Sequence, residues 1–430
     1  MLRRLMRWLA PFKACFGHRA QAISLGNYIN GLFSDSPRKS IQAMLARVTA
    51  PPDYQTVQHF ITHAPWSAAR MWQILRAELP ERRGVLILDD TGFPKKGTAS
   101  VGVARQYSGT LGKIGNCQVA VTASLWTGRV AWLVGAALYL PEEWANDPAR
   151  RSHAHIPATV TFQRKWELAL QLLRQVRAAA IELTGVLGDS GYGDTTALRR
   201  ALHHMRLAYG LGVSATLTVF HGTPQLQAPR KVRGPQLRRR RYTLGTTEPP
   251  MTVKALAASL PLKAWRCVTW QQADNPPRTA QCAAVRVTPA NDWEHGRLLP
   301  DVWLLCERPD GTTDEKYYLI NLPAGTPLTR LVTFMHQRWA IEQQYQQLKT
   351  ELGFDHFEGR TYPGWNRHVA VSAVAYAFLQ RERLRQTPNL VTFETLRAIV
   401  QDVFVGLLFA ARPKYSLWMR QARDLLPLRL

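Results

Sequence analysis

An α/β fold with a mixed sheet is predicted from three observations. Residues 85–88 (VLIL) form a continuous apolar run that ends in two aspartates, as in a strand buried on both faces. Strand and helix patterns then alternate in the order β-β-β-α-β-α-β up to residue 213. Helical periodicity disappears between residues 214 and 321 and resumes after them, which indicates an insertion.

Residues 1–80 are predicted to form a helical domain. Apolar residues recur there at helical spacing, at 41, 45 and 48 and again at 57, 60 and 61, with Pro51 and Pro52 as breaks. Through Gly84 the segment has 12 basic and 4 acidic residues. A domain that docks on DNA ends and a basic, solvated helical lid are both compatible with this pattern.

Residues 81–213 are predicted to be the first part of the core. We expect strands near 117–126 and 129–139, joined by a turn at Thr127-Gly128. There follow a helix near 161–180, a strand at 185–187 that ends in Gly188-Asp189, a helix near 194–204 and a strand near 208–213. Like the strand at 85–88, the strand at 185–187 has an aspartate near its carboxyl end.

Residues 214–321 are predicted to be a β-rich insertion, because short alternating segments lie there between turn signals. The insertion contains the densest run of basic charge, which ends in Arg238, Arg239, Arg240 and Arg241. Residues 322–384 are predicted to be the second part of the core, with helices near 328–352 and 366–384. Residues 385–430 are predicted to be a C-terminal helical region.

The composition points to an anionic partner. Lys and Arg number 55 against 30 Asp and Glu, a formal net charge of +25, and such a surface attracts a polyanion. Nucleic acid is the first candidate. The apolar run at 369–379 is shorter than the roughly 20 residues that span a bilayer, so no transmembrane helix and an intracellular location are predicted. The five cysteines include no C-x2-C pair, which argues against a disulfide framework or a zinc site.

Carboxylates are the candidate catalytic groups. Asp90, with Asp89 beside it, and Asp189 fall at predicted strand ends, where α/β folds present functional groups. An isolated aspartate at a strand end is more often a turn or helix cap. In the predicted helix, Arg338, Glu342, Tyr345 and Lys349 lie on one stripe. A surface ladder of ion pairs would give the same stripe.

Taken together, these features resemble the DDE transposases of bacterial insertion sequences, in the branch with the signature Y-x2-R-x3-E-x6-K. Arg338, Glu342 and Lys349 fit that spacing, and Met335 stands where the family has Tyr. The resemblance also covers the stretches at 57–60 (VQHF), 89–97 (DDTGFPKKG), 105–109 (RQYSG), 188–193 (GDSGYG) and 351–356 (ELGFDH). It therefore extends over most of the chain.

The resemblance implies a ribonuclease H-like catalytic core and an acidic triad of Asp90, Asp189 and Glu342. Asp89 is the alternative first ligand, and because successive strand residues face opposite ways, only one of the two is expected to reach the metals. Two Mg²⁺ or Mn²⁺ ions are the implied cofactors, since hard cations prefer carboxylate oxygens.

The basic residues near these acids would meet DNA phosphates. The resemblance gives Arg338 and Lys349 a role in gripping the transposon end, and Lys95 and Lys96 are expected to act in the same way. The arginines at 238–241 are expected to follow the DNA backbone, although a solvated loop is the alternative. Trp265, Trp270 and Trp303 are candidates for stacking on displaced bases, against the alternative that they are core residues.

The implied function is cut-and-paste transposition: recognition of terminal inverted repeats, cleavage with two metal ions, and joining of 3′ ends to target DNA. The partners would be double-stranded DNA and a second copy of the chain, since two ends must meet. The location would be the bacterial cytoplasm, on the nucleoid when DNA is bound. The competing hypotheses are a nuclease of the same fold without strand transfer and a non-catalytic DNA-binding protein.

Overall fold

The computed structural model describes residues 1–48, 52–109, 112–222, 224, 226–227, 243–244, 249–271, 276–294, 297–311, 314–386 and 391–411. The arginines at 238–241 therefore lie outside the described residues. Within these ranges, no helix is both long enough and apolar enough to cross a membrane.

In the described part of the chain, five α-helices precede the sheet. They are α1 (Leu2–Leu9), α2 (Arg19–Phe33), α3 (Ile41–Leu45), α4 (Tyr54–Thr62) and α5 (Ala68–Glu78). Ser40, Asp53 and Ser67 start the last three helices, and each side chain accepts a hydrogen bond from a backbone N–H of the first turn. The polar residue before each apolar stretch thus explains where these helices begin.

The core contains six strands and five helices in this order: β1 (Arg83–Pro94), β2 (Ala104–Ser108), β3 (Lys113–Trp126), β4 (Ala131–Tyr139), α6 (Glu142–Ala145), α7 (Pro148–His153), α8 (Lys165–Ala178), β5 (Glu182–Gly188), α9 (Ser190–Gly193), α10 (Thr196–His204) and β6 (Tyr209–Val213). The insertion follows with β7 (Thr218–His221), β8 (Leu226–Gln227), β9 (Thr243–Leu244), β10 (Met251–Thr252), α11 (Val253–Ser259), β11 (Arg266–Trp270), β12 (Arg278–Pro289), β13 (Trp293–Glu294), β14 (Arg297–Leu298), β15 (Val302–Pro309) and β16 (Lys316–Ile320).

Helices complete the described chain: α12 (Leu328–His336), α13 (Trp339–Gln346), a π-helical turn (Gln347–Glu351), α14 (Tyr362–Leu384) and α15 (Phe393–Ala411). The apolar run at 369–379 lies in α14 and is buried throughout. It is a core helix, which accounts for an apolar stretch without a polar face.

The sheet topology confirms the predicted fold class. β4, β3 and β1 pair antiparallel in that order, and β1, β5 and β6 pair parallel. A three-stranded meander joined to two parallel strands through β1 is the ribonuclease H-like arrangement. β16 pairs with β6, and β15, β12, β7 and β10 follow outward, so the insertion extends the same sheet.

Two predicted boundaries were wrong. β1 does not end at Asp89-Asp90 but continues to Pro94, because its pairing with β3 runs through Pro94 and Cys117. The predicted helix at 328–352 is interrupted between His336 and Trp339 and ends in the π-helical turn. Long-range pairing and packing override local propensity at both places.

The two faces of β1 belong to different cores. Leu86 and Leu88 join the large cluster that also contains the N-terminal helices, α8 and α14. Val85 and Ile87 join a second cluster with α12, α13 and β11. Consecutive residues of β1 therefore meet different layers of helices, and this alternation continues into the aspartates.

Glycine permits a close approach beside Asp189. A Cβ at Gly193 would lie 1.7 Å from the carbonyl oxygen of Gly212 in β6, so α9 fits against this strand only without a side chain. We expect Gly193→Ala to lower the free energy of unfolding by about 1–3 kcal/mol, as overpacking does. Chemical denaturation would measure this change in the free energy of unfolding.

Gly26→Ala is the matched control. This helical glycine has nothing within 4 Å of the added Cβ, and the substitution is expected to stabilise the protein by about 0.5–1 kcal/mol. Equal stability changes of the same sign in both variants would contradict the close approach of α9 and β6.

Candidate active site

Three carboxylates meet beside the centre of the sheet. β1 and β5 are parallel, with Ile87 opposite Leu187, so Asp89 in β1 and Asp189 just beyond β5 follow two residues later. Oxygen atoms of Asp89, Asp90 and Asp189 all lie within 4.8 Å of one another. We call these three residues the aspartate cluster. Asp89 and Asp90 thus both lie near Asp189, and which of the two would reach a metal ion stays a prediction.

The approach of both aspartates follows from the end of β5. Asp189 lies just beyond Gly188, the last residue of this strand, and is the N-cap of α9. Its side chain is no longer held to one face of the sheet, so it lies near both neighbours on β1.

Asp89 faces α12 and α13 and is buried. Its Oδ2 accepts a hydrogen bond from Nη1 of Arg338 at 2.7 Å, and its Oδ1 accepts one from the backbone N–H of Asp90 at 2.8 Å. Burial raises the pKa of Asp89 to about 7, against the lowering effect of Arg338, and the charges of Asp189 and Asp90 raise it further. The site therefore holds more negative charge than Arg338 offsets.

Asp90 faces the opposite side of β1. Its Oδ2 accepts a hydrogen bond from Nζ of Lys165 at 2.6 Å, at the first residue of α8. Sequence reasoning missed Lys165. A basic residue in the first turn of a helix is unfavourable for the helix dipole and is the one local signal of another role.

Asp189 is stabilised by the turn that follows it. Its Oδ1 accepts a hydrogen bond from the backbone N–H of Gly191 at 3.0 Å. Burial raises its pKa, the charge of Asp90 adds to the effect, and Arg338 opposes it. Arg199 holds the far end of this turn, since it donates to the carbonyl of Gly193 and forms a buried ion pair with Asp292 of the insertion.

Glu342 lies outside the aspartate cluster. Its side chain is 60% exposed, and its Oε1 is 3.4 Å from Nη2 of Arg338. Arg338 therefore contacts Asp89 with one nitrogen and Glu342 with the other. Arg338 thus connects Glu342 to Asp89, the alternative first acid, and the place of Glu342 in the triad stays a prediction.

The rest of the predicted stripe turns toward the sheet. The hydroxyl groups of Tyr345 and Thr122 are hydrogen-bonded at 2.6 Å. Lys349 lies in the π-helical turn, and its Nζ donates to the carbonyl of Gly92 at 2.9 Å. Met335, at the signature tyrosine position, is buried, and its sulfur would be 2.3 Å from a Cβ added at Gly210. Methionine is thus a packing residue here.

The predicted phosphate ligands differ in environment. Nζ of Lys95 donates to the carbonyl of Phe357 at 2.7 Å and is 3.3 Å from that of Asp355, whereas Lys96 is exposed. Burial lowers the pKa of Lys95 and of Lys349 to about 8. Among these lysines, Lys96 is the one fully open to a ligand at the surface.

The tryptophans of the insertion have neighbours within the protein. Trp270 is buried and stacks on His336, with ring centroids 3.9 Å apart. The guanidinium of Arg308 lies 3.7 Å from the ring centroid of Trp265, and that of Arg286 lies 5.2 Å from that of Trp303. These contacts are typical of packed residues, and a stacking role on bases stays a prediction.

The donor set of the aspartate cluster suits a hard divalent cation. All its ligand atoms are carboxylate oxygens. Burial, with a smaller contribution from the neighbouring aspartates, raises the pKa of Asp89 and of Asp189, and a bound cation would favour their ionised forms. The residues present therefore fit Mg²⁺ or Mn²⁺.

A ribonuclease H-like sheet with clustered carboxylates on its two central parallel strands defines a class of metal-dependent enzymes that act on phosphodiesters. The family described as DDE superfamily endonuclease matches residues 11–277, and the chain belongs to this family. The resemblance found in the sequence is thereby confirmed.

Similarity to individual proteins is narrower. The chain is 32% identical over 171 residues to a probable transposase for insertion sequence element IS701 from Microchaete diplosiphon, which is 38% of this chain and 41% of that protein. The match thus spans about two fifths of the relative's length. A cryo-EM structure of the piggyBac transposase synaptic complex with hairpin DNA aligns with 96% of this chain and 76% of that one, at 8% identity. Its TM-score of 0.46 is too low to carry an inference.

The raised pKa of Asp89 predicts a pH-dependent stability without divalent ions. Because its folded pKa of about 7 exceeds the ordinary 3.8, the protonated form is favoured by folding, and stability falls as pH rises toward and through 7. Asp89→Asn does not ionise, so we expect its stability relative to wild type to increase from pH 4 to pH 8. Between these two pH values, the free energy of unfolding of the variant relative to wild type is expected to rise by about 2–4 kcal/mol. Denaturation in EDTA at each pH would measure this difference.

Asp301→Asn is a control for which the opposite change in stability is expected. A hydrogen bond from Arg286 lowers the pKa of Asp301, so this variant is expected to be less stable than wild type at pH 8. If the stability difference between Asp89→Asn and wild type does not change with pH, folding does not raise the pKa of Asp89.

Proposed function

We propose that the chain is a DNA transposase that binds terminal inverted repeats, cleaves phosphodiester bonds with two divalent ions and joins 3′ ends to target DNA. The observation that carries the proposal is the aspartate cluster on β1 and β5, in a chain of the DDE superfamily endonuclease family. Carboxylates held this close are costly unless a cation joins them.

The proposed ligands are Asp189 and Glu342 with Asp90, or with Asp89 in its place. Mg²⁺ or Mn²⁺ bound there would supply activation of the attacking hydroxyl and stabilisation of the leaving 3′ oxygen. Asp90 and Asp89 each hold a protein cation, Lys165 and Arg338, so these cations neutralise the carboxylates until metal and substrate arrive.

Arg338 is proposed to change partners when DNA binds. It contacts both Asp89 and Glu342, and a guanidinium suits two phosphate oxygens as well as two carboxylates. Transfer of Arg338 to a phosphate would free Glu342, which is exposed at the surface of α13, to join the aspartates.

The DNA-binding surface is proposed to include Lys96, next to β1, with Lys95 and Lys349 beneath it. Lys95 and Lys349 donate to the backbone carbonyls of Phe357 and Gly92. The net charge of +25 supports a polyanionic partner. The N-terminal helices are proposed to bind the DNA ends, and a homodimer would hold two ends together.

A cleavage and joining assay tests the proposal. With a labelled duplex carrying the terminal repeat of the element, a target plasmid and Mg²⁺, wild type is expected to cut at the repeat boundary and join the 3′ ends. Asp189→Asn and Glu342→Gln should each lower the rate by roughly three orders of magnitude, about 4 kcal/mol of transition-state stabilisation, with DNA binding kept. Separate Asp89→Asn and Asp90→Asn variants identify the first ligand, because only the ligand position should match Asp189→Asn.

Asp194→Asn is the matched control, because Asp194 follows on the same turn and lies outside the aspartate cluster. Its Oδ1 accepts from the backbone N–H of Ser214, a bond that asparagine keeps. Cleavage without joined product would favour the nuclease alternative. Specific DNA binding without metal-dependent cleavage would favour the non-catalytic one.

The two adjacent lysines are expected to differ. Lys96→Ala should weaken DNA binding and reduce the slope of log affinity against log salt by about one, as for one lost phosphate contact. Lys95→Ala should chiefly lower the melting temperature, because the carbonyl of Phe357 loses its donor. Binding at several salt concentrations and thermal melting would separate the two effects.

Equal effects of both substitutions on DNA affinity, with equal melting temperatures, would contradict this assignment. The pair controls for net charge, because each variant loses one positive charge at neighbouring positions.

A further inference from the structure

A large cavity lies away from the aspartate cluster. It has a volume of about 940 Å³ and is bounded by α5, β4, residues 157–163, α8 and the start of α14. None of the three clustered aspartates lines it. Its size is that of a site for a small organic molecule.

The only charged residues that line the cavity, among those the structure describes, are Arg76 and Arg367. Both are more than nine-tenths buried, with exposures of 4% and 8%. Nε of Arg76 donates to the carbonyl of Val134 at 2.7 Å, and its Nη2 donates to Gln175 at 2.9 Å. Arg367 donates to the carbonyls of Trp66 and Ile61, each at 3.2 Å.

Neither arginine forms an ion pair with a carboxylate in the described part of the chain. Burial lowers the pKa of Arg76 to about 10 and also lowers that of Arg367, and no nearby acid opposes the effect. Buried cations are ordinarily paired, and carbonyl and amide partners leave part of each guanidinium fork for another acceptor. The cavity is therefore electrostatically suited to an anion.

The other polar side chains that line the cavity indicate which kind of anion it suits. Amide side chains line the cavity at Gln73, Gln163, Gln171, Gln175 and Asn366. Each amide offers a donor and an acceptor, which matches the hydrogen-bonding edges of nucleobases. Trp66, Trp72 and Tyr362 add aromatic surface beside them.

We propose that this cavity binds a nucleoside phosphate, with the phosphate at Arg76 and the base among the amides. The source is either a free nucleotide or a nucleotide of a single DNA strand. The proposal does not depend on metal chemistry at the aspartates, because it rests on a separate set of residues.

Calorimetric titration of the full-length protein in EDTA tests the proposal. Three probes are compared: dAMP, deoxyadenosine and an eight-residue oligodeoxyadenylate. We expect saturable binding of dAMP and at least tenfold weaker binding of deoxyadenosine, which lacks the phosphate. Arg76→Gln should weaken dAMP binding at least tenfold, and Arg174→Gln, at an exposed position of α8, should leave it unchanged. Tighter binding of the oligonucleotide, with the same loss in Arg76→Gln, identifies a DNA strand as the source.

A second variant keeps the test decisive if Arg76→Gln melts below the working temperature. Ala137→Phe narrows the cavity from β4 and retains both arginines, so it should also weaken dAMP binding at least tenfold. The proposal is overturned by absence of saturable binding up to millimolar dAMP, by equal loss in Arg174→Gln, or by wild-type affinity in a folded Ala137→Phe. EDTA removes divalent ions, so dAMP cannot bind through an ion at the aspartate cluster. If the protein fails to cleave DNA, the result of this titration is therefore unaffected.

Discussion

The proximity of three negative charges at the middle of the sheet is the constraint on which the active-site region depends. Burial raises the pKa of Asp89, and the charges of Asp189 and Asp90, whose oxygen atoms lie within 4.8 Å, raise it further. The protein offsets this charge from two directions. Lys165 approaches from the α8 side, and Arg338 approaches from the side of α12 and α13.

The secondary structure around β1 follows from this arrangement. Because Asp89 and Asp90 are consecutive, their side chains face different helical layers, and each layer supplies one cation. The interruption between α12 and α13 places Arg338 at the start of a helix, where it contacts both Asp89 and Glu342. The insertion also participates, since the buried pair of Arg199 and Asp292 ties it to the turn that follows Asp189.

The sequence predicted β1, β3, β4, β5 and β6 in order, and Asp189 beyond a short buried strand, because these features depend on local periodicity; it did not predict the short strand β2. It did not predict that β1 continues past Asp90, since DDTG has the composition of a turn and only pairing with β3 keeps it extended. The break before Trp339 was missed for a related reason. Near the end of α12, Phe334 and Met335 pack on Gly185 and Gly210, and this contact joins distant parts of the chain.

The basic residues show why composition alone does not locate a binding surface. An excess of positive charge indicates a polyanion, but Lys95 and Lys349 donate to carbonyls within the fold, and Arg338 and Lys165 neutralise carboxylates. Arg76 and Arg367 are a third kind, buried and bonded to neutral groups. A cation already matched by an acid gains little from a phosphate unless it loses that acid, whereas a buried cation without an acid gains from any anion that reaches it. Arg338 is therefore paired with two carboxylates, whereas Arg76 and Arg367 have no acid partner in the described part of the chain.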